Sequence, residues 1–424
     1  MSVLSYLEKL LNGVDIQWKT IGEVTLRTSN IKWREATRSY RYVDLTSVDI
    51  ETKKITETTE VTANNAPSRA QKLIEENDVI FATTRPTQQR FCLIDGEYSD
   101  EVASTGFCVL RAKQDEVLPK WIWHWISTSY FKKYVEENQS GSAYPAISDA
   151  KVKECYIPVP CPENPEKSLT IQSEIVRILD KFTALTAELT AELTAELTMR
   201  KNQYNYYRDQ LLSFKEGNVA WKTLGEISRK ISSGGTPKTG VTEYYDGTIP
   251  WLRTQEVDFR EIWDTEIKIT EEGLKTSSAK WIPKDCIIIA MYGATVGKIG
   301  INKIPMTTNQ ACANIQLDEE IVHYRYVFHF LCSQYAYIKS LGTGSQTNIN
   351  AQIVKNIKIP VPFAENPEKS LNEQLRIVNI LDKFDTLTSS ITEGLPREIE
   401  LRQKQYEYYR DLLFSFPKHE TTSN

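Results

Sequence analysis

Four histidines, seven cysteines and four methionines in 424 residues leave little material for metal or redox chemistry. The cysteines (92, 108, 155, 161, 286, 312 and 332) are odd in number and form no CxxC, which argues against a zinc site or a disulfide framework. A reducing, cytoplasmic setting is therefore expected. No run of about 18 apolar residues exists to cross a membrane. The opening MSVLSYLEKLL is too short and too charged for a signal peptide. A strong excess of one charge is missing as well: 51 Lys and Arg face 56 Asp and Glu, for a net −5. That argues against a chain that coats nucleic acid indiscriminately, but does not exclude local basic surfaces.

Catalytic signatures are also missing. GATVGKIG (293–300) places three residues between its first glycine and the Gly-Lys pair, and Ile299 follows Lys298, so it is no phosphate loop. There is no GxGxxG after a strand, no HExxH and no GxSxG. NPEK, at 164–167 and 366–369, lacks the second proline and the aromatic with which adenine-methylating enzymes hold their base. His124 and His329 occupy matching helical slots between aromatics and read as packed side chains, with no partner carboxylate legible for general-base work. The cysteines read as small buried apolars. No enzyme and no metal site is expected.

What the chain does have is an internal repeat. IPVPCPENPEKSLTIQSEIVRILDKF (157–182) returns as IPVPFAENPEKSLNEQLRIVNILDKF (359–384), and QYNYYRDQLLSF (203–214) returns as QYEYYRDLLFSF (405–416). Residues 157–214 and 359–416 align without a gap, with 34 identities in 58 positions. TAELTAELTAEL (186–197) is one word written three times. Ala, Glu and Leu are strong helix formers, and the four-residue period is close to a helical turn. It draws an apolar stripe of Leu185, Leu189, Leu193 and Leu197, matched in the second copy by Leu387, Ile391, Leu395 and Ile399. Gly394 and Pro396 should end or kink that second helix, and Ser370 with Glu373 reads as a capping box at its start.

Fainter matches join the intervening segments: IQWKTIGEV (16–24) with VAWKTLGEI (219–227), AQKLIEENDVIFA (70–82) with SAKWIPKDCIIIA (278–290), and KWIWHWI (120–126) with RYVFHFL (325–331). YLEKLL (6–11) resembles YRDQLL (207–212), as in a circularly permuted duplication. The expected architecture is α+β: two similar globular domains joined by two long antiparallel helices with pseudo-two-fold symmetry. An N-terminal segment (1–15) completes the circular repeat. The domains span 16–156 and 219–358, and helical regions span 157–218 and 359–424.

The loops carry the side chains that read base edges. Arg pairs with guanine, Gln and Asn pair with adenine, and Thr meets the thymine methyl. RTSNIKWREATRSYR (27–41) is locally +4, from Arg27, Lys32, Arg34, Arg38 and Arg41 against Glu35. TTRPTQQR (83–90) adds Thr83, Thr84, Arg85, Gln88, Gln89 and Arg90. In the second domain the candidates are Ser233, Thr236, Lys238, Arg253, Thr254, Gln255, Tyr292, Lys298, Asn309, Gln310, Gln346 and Asn348. Each loop alone reads more readily as ordinary polar surface; their recurrence at matching places brings each to even terms and favours DNA for the set. Two unlike readers on a rigid bar can read two different half-sites of about 3–5 bp around an unread gap of about 6–8 bp, on the spacing of one helical turn. Each extra TAEL word would lengthen the bar by about 6 Å and turn it by about 40°.

The whole chain resembles the specificity subunit of type I restriction–modification systems. The tandem TAEL word after ILDKFTAL, with NYYRDQLLSFKEG and EGLPREIELRQKQYEYYRDLLFSF, is similar to the type IC subgroup. The resemblance implies a non-catalytic scaffold with two target-recognition domains. It implies two methylation subunits and two restriction/translocase subunits as partners, with S-adenosylmethionine, ATP and Mg2+ held on those partners. Tyr204, Tyr206, Tyr207 and Arg208, with Tyr406, Tyr408, Tyr409 and Arg410, are the docking candidates on the paired helices. On the residues alone, a free-standing bipartite DNA-binding regulator and a coiled-coil protein scaffold stay open.

Overall fold

The computed structural model describes residues 11, 13–214, 219–342, 348–389 and 394–416. The chain divides into two compact units, Met1–Glu192 with Ile399–Asn424, and Leu193–Glu398.

In the first unit the strands are β1 (Ile16–Thr20), β2 (Thr25–Leu26), β3 (Tyr40–Val43), β4 (Thr59–Val61), β5 (Ala70–Ile74), β6 (Val79–Ala82), β7 (Phe91–Leu93), β8 (Glu101–Ser104), β9 (Phe107–Ala112) and β10 (Tyr156–Pro160). Helices α1 (Pro119–Ile126), α2 (Ser129–Asn138) and α3 (Asp149–Glu154) precede the long α4 (Pro165–Leu211). Two sheets run β2–β9–β6–β7 and β4–β3–β8–β5, while β1 pairs with β10 alone. β6 is VIFA, buried at every position, the unbroken apolar run of a strand covered on both faces. Its neighbour β9 carries Arg111, whose Nε and Nη2 each donate at 2.8 Å to Asp78, a carboxylate with no solvent exposure.

The second unit repeats the plan with β11 (Val219–Thr223), β12 (Ser228–Ser233), β13 (Tyr245–Leu252), β14 (Glu261–Ile262), β15 (Lys268–Ile269), α5 (Glu271–Lys275), β16 (Ile287–Ala290), β17 (Ile299–Asn302), β18 (Thr307–Thr308) and β19 (Cys312–Leu317). Then come α6 (Tyr324–Ser333), α7 (Tyr335–Ser340), α8 (Ala351–Lys355), β20 (Lys358–Pro362) and α9 (Pro367–Ser389), before α10 (Leu395–Leu413). The order β12–β19–β16–β17–β14 mirrors the first unit with one strand added at the edge. The β11–β20 ladder sets Trp221 opposite Pro360, as β1–β10 sets Trp18 opposite Pro158.

α10 closes the first unit. Its last residue Leu413, with Phe414 and Phe416 beyond it, joins the core around Trp121 and Trp125. Along the helices, Phe182 stacks on Tyr409 at 5.7 Å and Thr183 shares a 3.0 Å hydrogen bond with Tyr406. Rising numbers on α4 meet falling numbers on α10, so the two run antiparallel there. In the second unit the tail of α4 plays the same part, with Leu212 in the core and Tyr207 stacked on Phe384 at 5.5 Å.

The second helix breaks at Gly394 as expected: α9 spans Pro367–Ser389, and α10 starts at Leu395 after Gly394 at φ +81°. One expectation needs correction. The capping box at Ser370 is not used. α9 begins earlier, at Pro367, because Asn366 caps it by accepting from the Lys369 N–H at 3.0 Å, and proline suits the first helical position. Ser370 lies inside the helix and accepts from Gln374 at 3.0 Å. The stutter is helical throughout, within α4, but Leu185 is 51% exposed while Leu189, Leu193 and Leu197 are half-buried.

Each unit is fastened to its long helix by the same side chains. Gln172 accepts from the Leu118 N–H at 2.9 Å and donates to Glu116 O and Ser168 Oγ; Gln374 does likewise with His323, Ile321 and Ser370. His124 Nε2 lies 3.0 Å from Asp180, and His329 Nε2 lies 2.7 Å from Asp382. The partner carboxylates that the sequence did not reveal are therefore present. Lys120 and Arg325 complete them, at 2.5 and 2.7 Å. Both histidines are fully buried, so they serve as fasteners rather than bases open to a substrate.

Burial depresses the His124 pKa despite Asp180 beside it. Burial pushes Asp180 upward, but hydrogen bonds from His124 and Lys120 outweigh it and hold that carboxyl below its usual range. Unfolded His titrates near about 6.5. A depressed folded pKa thus gives stability that is complete above that value and lost as pH falls below it. We expect the first unit's urea midpoint to drop from about pH 7 to about pH 5, and His124→Gln to flatten that slope. An unchanged slope in the variant would show that other groups govern it.

Candidate nucleic-acid interface

The loop after β6 and the loop after β16 occupy the same place in their units. Thr83 donates its N–H to Gly106 O at 2.8 Å, and the Ile147 N–H donates to Thr83 O at 2.9 Å. In the second unit the Met291 N–H donates to Ala311 O at 2.8 Å, and the Ile349 N–H donates to Met291 O at 3.0 Å. Three stretches thus meet twice: the eight-residue loops 83–90 and 291–298, the links before β9 and β19, and the segments leading into α3 and α8. These last are capped alike, by Ser148 accepting from Lys151 and by Asn350 accepting from Ile353.

More of the second unit's candidates join this site. The Asn309 N–H donates to Leu252 O at 2.9 Å, next to Arg253; Thr295 Oγ1 donates to Thr254 O at 2.8 Å; Thr236 donates to Gln310. The glycines of SSGGTPK are there for close approach: a Cβ on Gly234 would lie 2.0 Å from Thr308 O. Trp251 Nε1 donates to Gly235 O at 2.9 Å, which pins the strap that carries Ser233, Thr236 and the exposed Lys238. Arg253 is bound to Glu266 at 2.6 Å and, with the Gln255 amide turned to accept, to that side chain at 2.9 Å. Lys298 pairs with Asp258 at 2.7 Å, and Tyr292 is exposed. Asn348 borders Ile349 at the same site; Gln346 lies outside the described residues.

The first unit's basic stretch does not join its loop. Arg38 reaches Glu101 at 3.2 Å and Asp100 O, and Arg41 reaches Glu97 at 2.5 Å, both beside the start of β8. Thr83 bonds to Gly106, just beyond the other end of that strand. Lys32 pairs with Glu35 at 3.4 Å, while Arg27 and Arg34 are exposed. Acidic neighbours far along the chain thus offset part of the local +4, at Arg38 and Arg41, while Arg27 and Arg34 stay exposed.

Within 83–90 the side chains also divide. Thr83 is buried, with its hydroxyl donating to Gly106 O at 2.9 Å, and Arg90 donates to Leu45 O and Val48 O at 2.5 and 2.6 Å, so both build the loop's base. The Gln89 amide is buried without a partner in the described structure, and Thr84 is half-buried. Arg85 and Gln88 face solvent. Arg85 lies 5.3 Å above the ring of Tyr144, which is 71% exposed, and its N–H donates to Pro145 O at 2.7 Å. Tyr144 escaped the sequence reading, although it stands 202 residues before the candidate Gln346, the offset at which 157–214 repeats as 359–416. Exposed Arg69 was missed too; its carbonyl accepts from the Thr105 N–H at 2.8 Å beside the same loop.

The two loops share a backbone. Their third and seventh positions are left-handed in both, at Arg85 (φ +48°) and Gln89 (φ +53°) and at Gly293 and Gly297 (both φ +81°). Glycine takes that conformation freely; Arg and Gln cost about 1 kcal/mol each there.

The docking candidates separate by exposure. Tyr204 shares a 3.1 Å hydrogen bond with His329 Nδ1, Tyr406 bonds Thr183, and Tyr207 and Tyr409 are stacked on Phe384 and Phe182. Arg208 and Arg410 pair with Asp209 and Asp411 at 3.0 and 2.8 Å. Tyr206 and Tyr408, at 62% and 61% exposure, are the matching pair left open.

Comparison with known proteins bears on all of this. The signature of the type I restriction modification DNA specificity domain matches residues 15–199 and again 217–401. The chain is 44% identical over 438 residues, covering 100% of both sequences, to the type I restriction enzyme EcoR124I/EcoR124II specificity subunit of Escherichia coli. It is 32% identical to the EcoprrI specificity subunit of Escherichia coli, covering 93% of each. Among solved structures, one described for complex assembly and conformational transition of the type I R-M system is similar with a TM-score of 0.69 at 22% identity, over 94% of this chain and 97% of that one. The HsdS subunit from Thermoanaerobacter tengcongensis is similar with a TM-score of 0.51 at 21% identity, over 94% and 96%. At those identities the likeness is one of fold.

Proposed function

The chain belongs to the type I restriction-modification DNA specificity family, and we propose that it reads a bipartite DNA target, one half-site of about 3–5 bp per unit around an unread spacer of about 6–8 bp. One observation carries this: a single chain builds the same three-stretch loop site twice, with different side chains in each. Two readers with one backbone plan and two residue sets fit two unlike half-sites.

As a specificity subunit the chain supplies recognition, and the chemistry belongs to its partners. Two methylation subunits would hold S-adenosylmethionine, and two restriction/translocase subunits would use ATP and Mg2+. Tyr206 and Tyr408, placed alike on the two helix ends and largely exposed beside Tyr207 and Tyr409, are the residues we assign to methylation-subunit docking. Neither unit is strongly basic: residues 1–156 hold 20 basic and 22 acidic residues, and 219–358 hold 16 and 14. Phosphate contacts therefore come largely from the partners, and the chain alone should bind DNA weakly.

The test is a genome-wide map of methylated adenines in cells with and without this gene, together with its partner methylation subunit. A bipartite motif with a fixed gap, lost on deletion, is the expected result. Methylation that does not depend on the gene would overturn the reading.

A further inference from the structure

Arg85 stands where the matching loop of the second unit has Gly293, in the same left-handed backbone. That position does not require an arginine for the fold. Space is open at Gly293, where an added Cβ would meet nothing within 4 Å, so the loop shape forms as well without a side chain. Nor is Arg85 held by a counter-charge: no carboxylate pairs with it among the described residues, whereas Arg38, Arg41 and Arg111 all have one. Its guanidinium instead rests against the exposed ring of Tyr144. An unpaired cation kept in an unfavourable conformation and braced on an aromatic face points to a ligand outside the chain.

We propose that Arg85, braced by Tyr144, is a specificity-determining residue of the first unit, and that it reads a guanine. The chemistry comes from the side chain: a guanidinium fork offers two parallel donors to the O6 and N7 of guanine, a pattern no other base presents. The Tyr144 ring, 5.3 Å from the guanidinium, narrows the range of positions open to the fork, so that the two donors arrive together more often. Gln88 faces solvent further along the loop and Arg90 is bound inward, so the loop presents one strong fork rather than a diffuse basic patch. The inference rests on the bipartite reading above and gives it a base and a residue.

The experiment replaces Arg85 in the full chain, co-expressed with its methylation subunit, and maps the methylated motif. Arg85→Gly should fold with a Tm no lower than the parent's within about 2 °C, because glycine suits the left-handed position. It should lose preference for guanine at one position of one half-site by about 10- to 100-fold, with the other half-site and the gap unchanged. Arg85→Lys separates base from phosphate: it keeps the charge and loses the fork, so the same guanine should degenerate. Tyr144→Ala should weaken that position in the same direction. An intact motif in Arg85→Gly or in Arg85→Lys overturns the assignment, as does a parental half-site without guanine. A parental chain that gives no bipartite motif fails the functional reading instead, and the two failures are told apart by the parent alone.

Discussion

Deleting one TAEL word, residues 190–193, is expected to shorten the unread gap and leave the bases of both half-sites as they were. The word lies inside α4, a single helix from Pro165 to Leu211. Removing four helical residues takes about 6 Å from its length and turns the remainder of the helix by about 40°. At about 3.4 Å of rise per base pair, that is one or two base-pair steps. The leucine stripe stays in phase because the deletion is one full word, so both sets of helix contacts survive. These lie outside the word, at Gln172 and Asp180 on one side and at Tyr204 and Tyr207 on the other. Adding a word should lengthen the gap by the same amount. Altered half-site bases, or an unaltered gap, would remove the helix from its role as a ruler.

Asp78→Ala should destabilise the first unit by roughly 3–5 kcal/mol, the cost of stranding a charge inside a fold. Asp78 is wholly buried; it accepts from Arg111 twice and from the Glu75 N–H at 2.8 Å. Among the described residues, only Glu75, at 2.5 Å, would remain for Arg111. Domains are stable by only about 5–15 kcal/mol, so this single carboxylate carries a large share. Arg111→Leu in the same background should recover part of the loss, because it removes the stranded charge. Urea unfolding followed by tryptophan fluorescence would measure it, since the first unit's core holds Trp121 and Trp125. A loss under about 1 kcal/mol would mean that Glu75 alone suffices for Arg111.

The duplication was legible because it was written in the helices, where 34 of 58 positions repeat and where the fasteners Gln172, Asp180 and Tyr204 have their copies at the same offset. The buried strands were legible as unbroken apolar runs: DVIFATT holds β6 and CIIIAMYG holds β16. What the sequence hid is what depends on partners distant along the chain. The carboxylate beside His124 is 56 residues away, and the one that occupies Arg38 is 63 away. A run of basic residues shows a charge of +4 in the sequence, and only the fold reveals that Glu97 and Glu101 pair with two of its members. Tyr144 was hidden for another reason: Gly-Ser-Ala-Tyr-Pro carries no polar pattern of its own, and only the position of its counterpart marks it.

The first unit is not contiguous in sequence, and this bears on the order in which the protein is made. The second unit, Leu193–Glu398, is complete in the chain before residues 399–416 are made. The first must wait for them, because Phe414 packs 4.7 Å from Trp121 and 5.4 Å from Trp125, and Leu413 and Phe416 fill the same core. Until residues 413–416 are made, the nascent chain therefore shows an uncovered aromatic surface that chaperones and proteases can recognise. A message broken before the codon for Leu413 would yield a chain with its second reader built and its first left open, marked for removal before it could join an assembly with half a specificity.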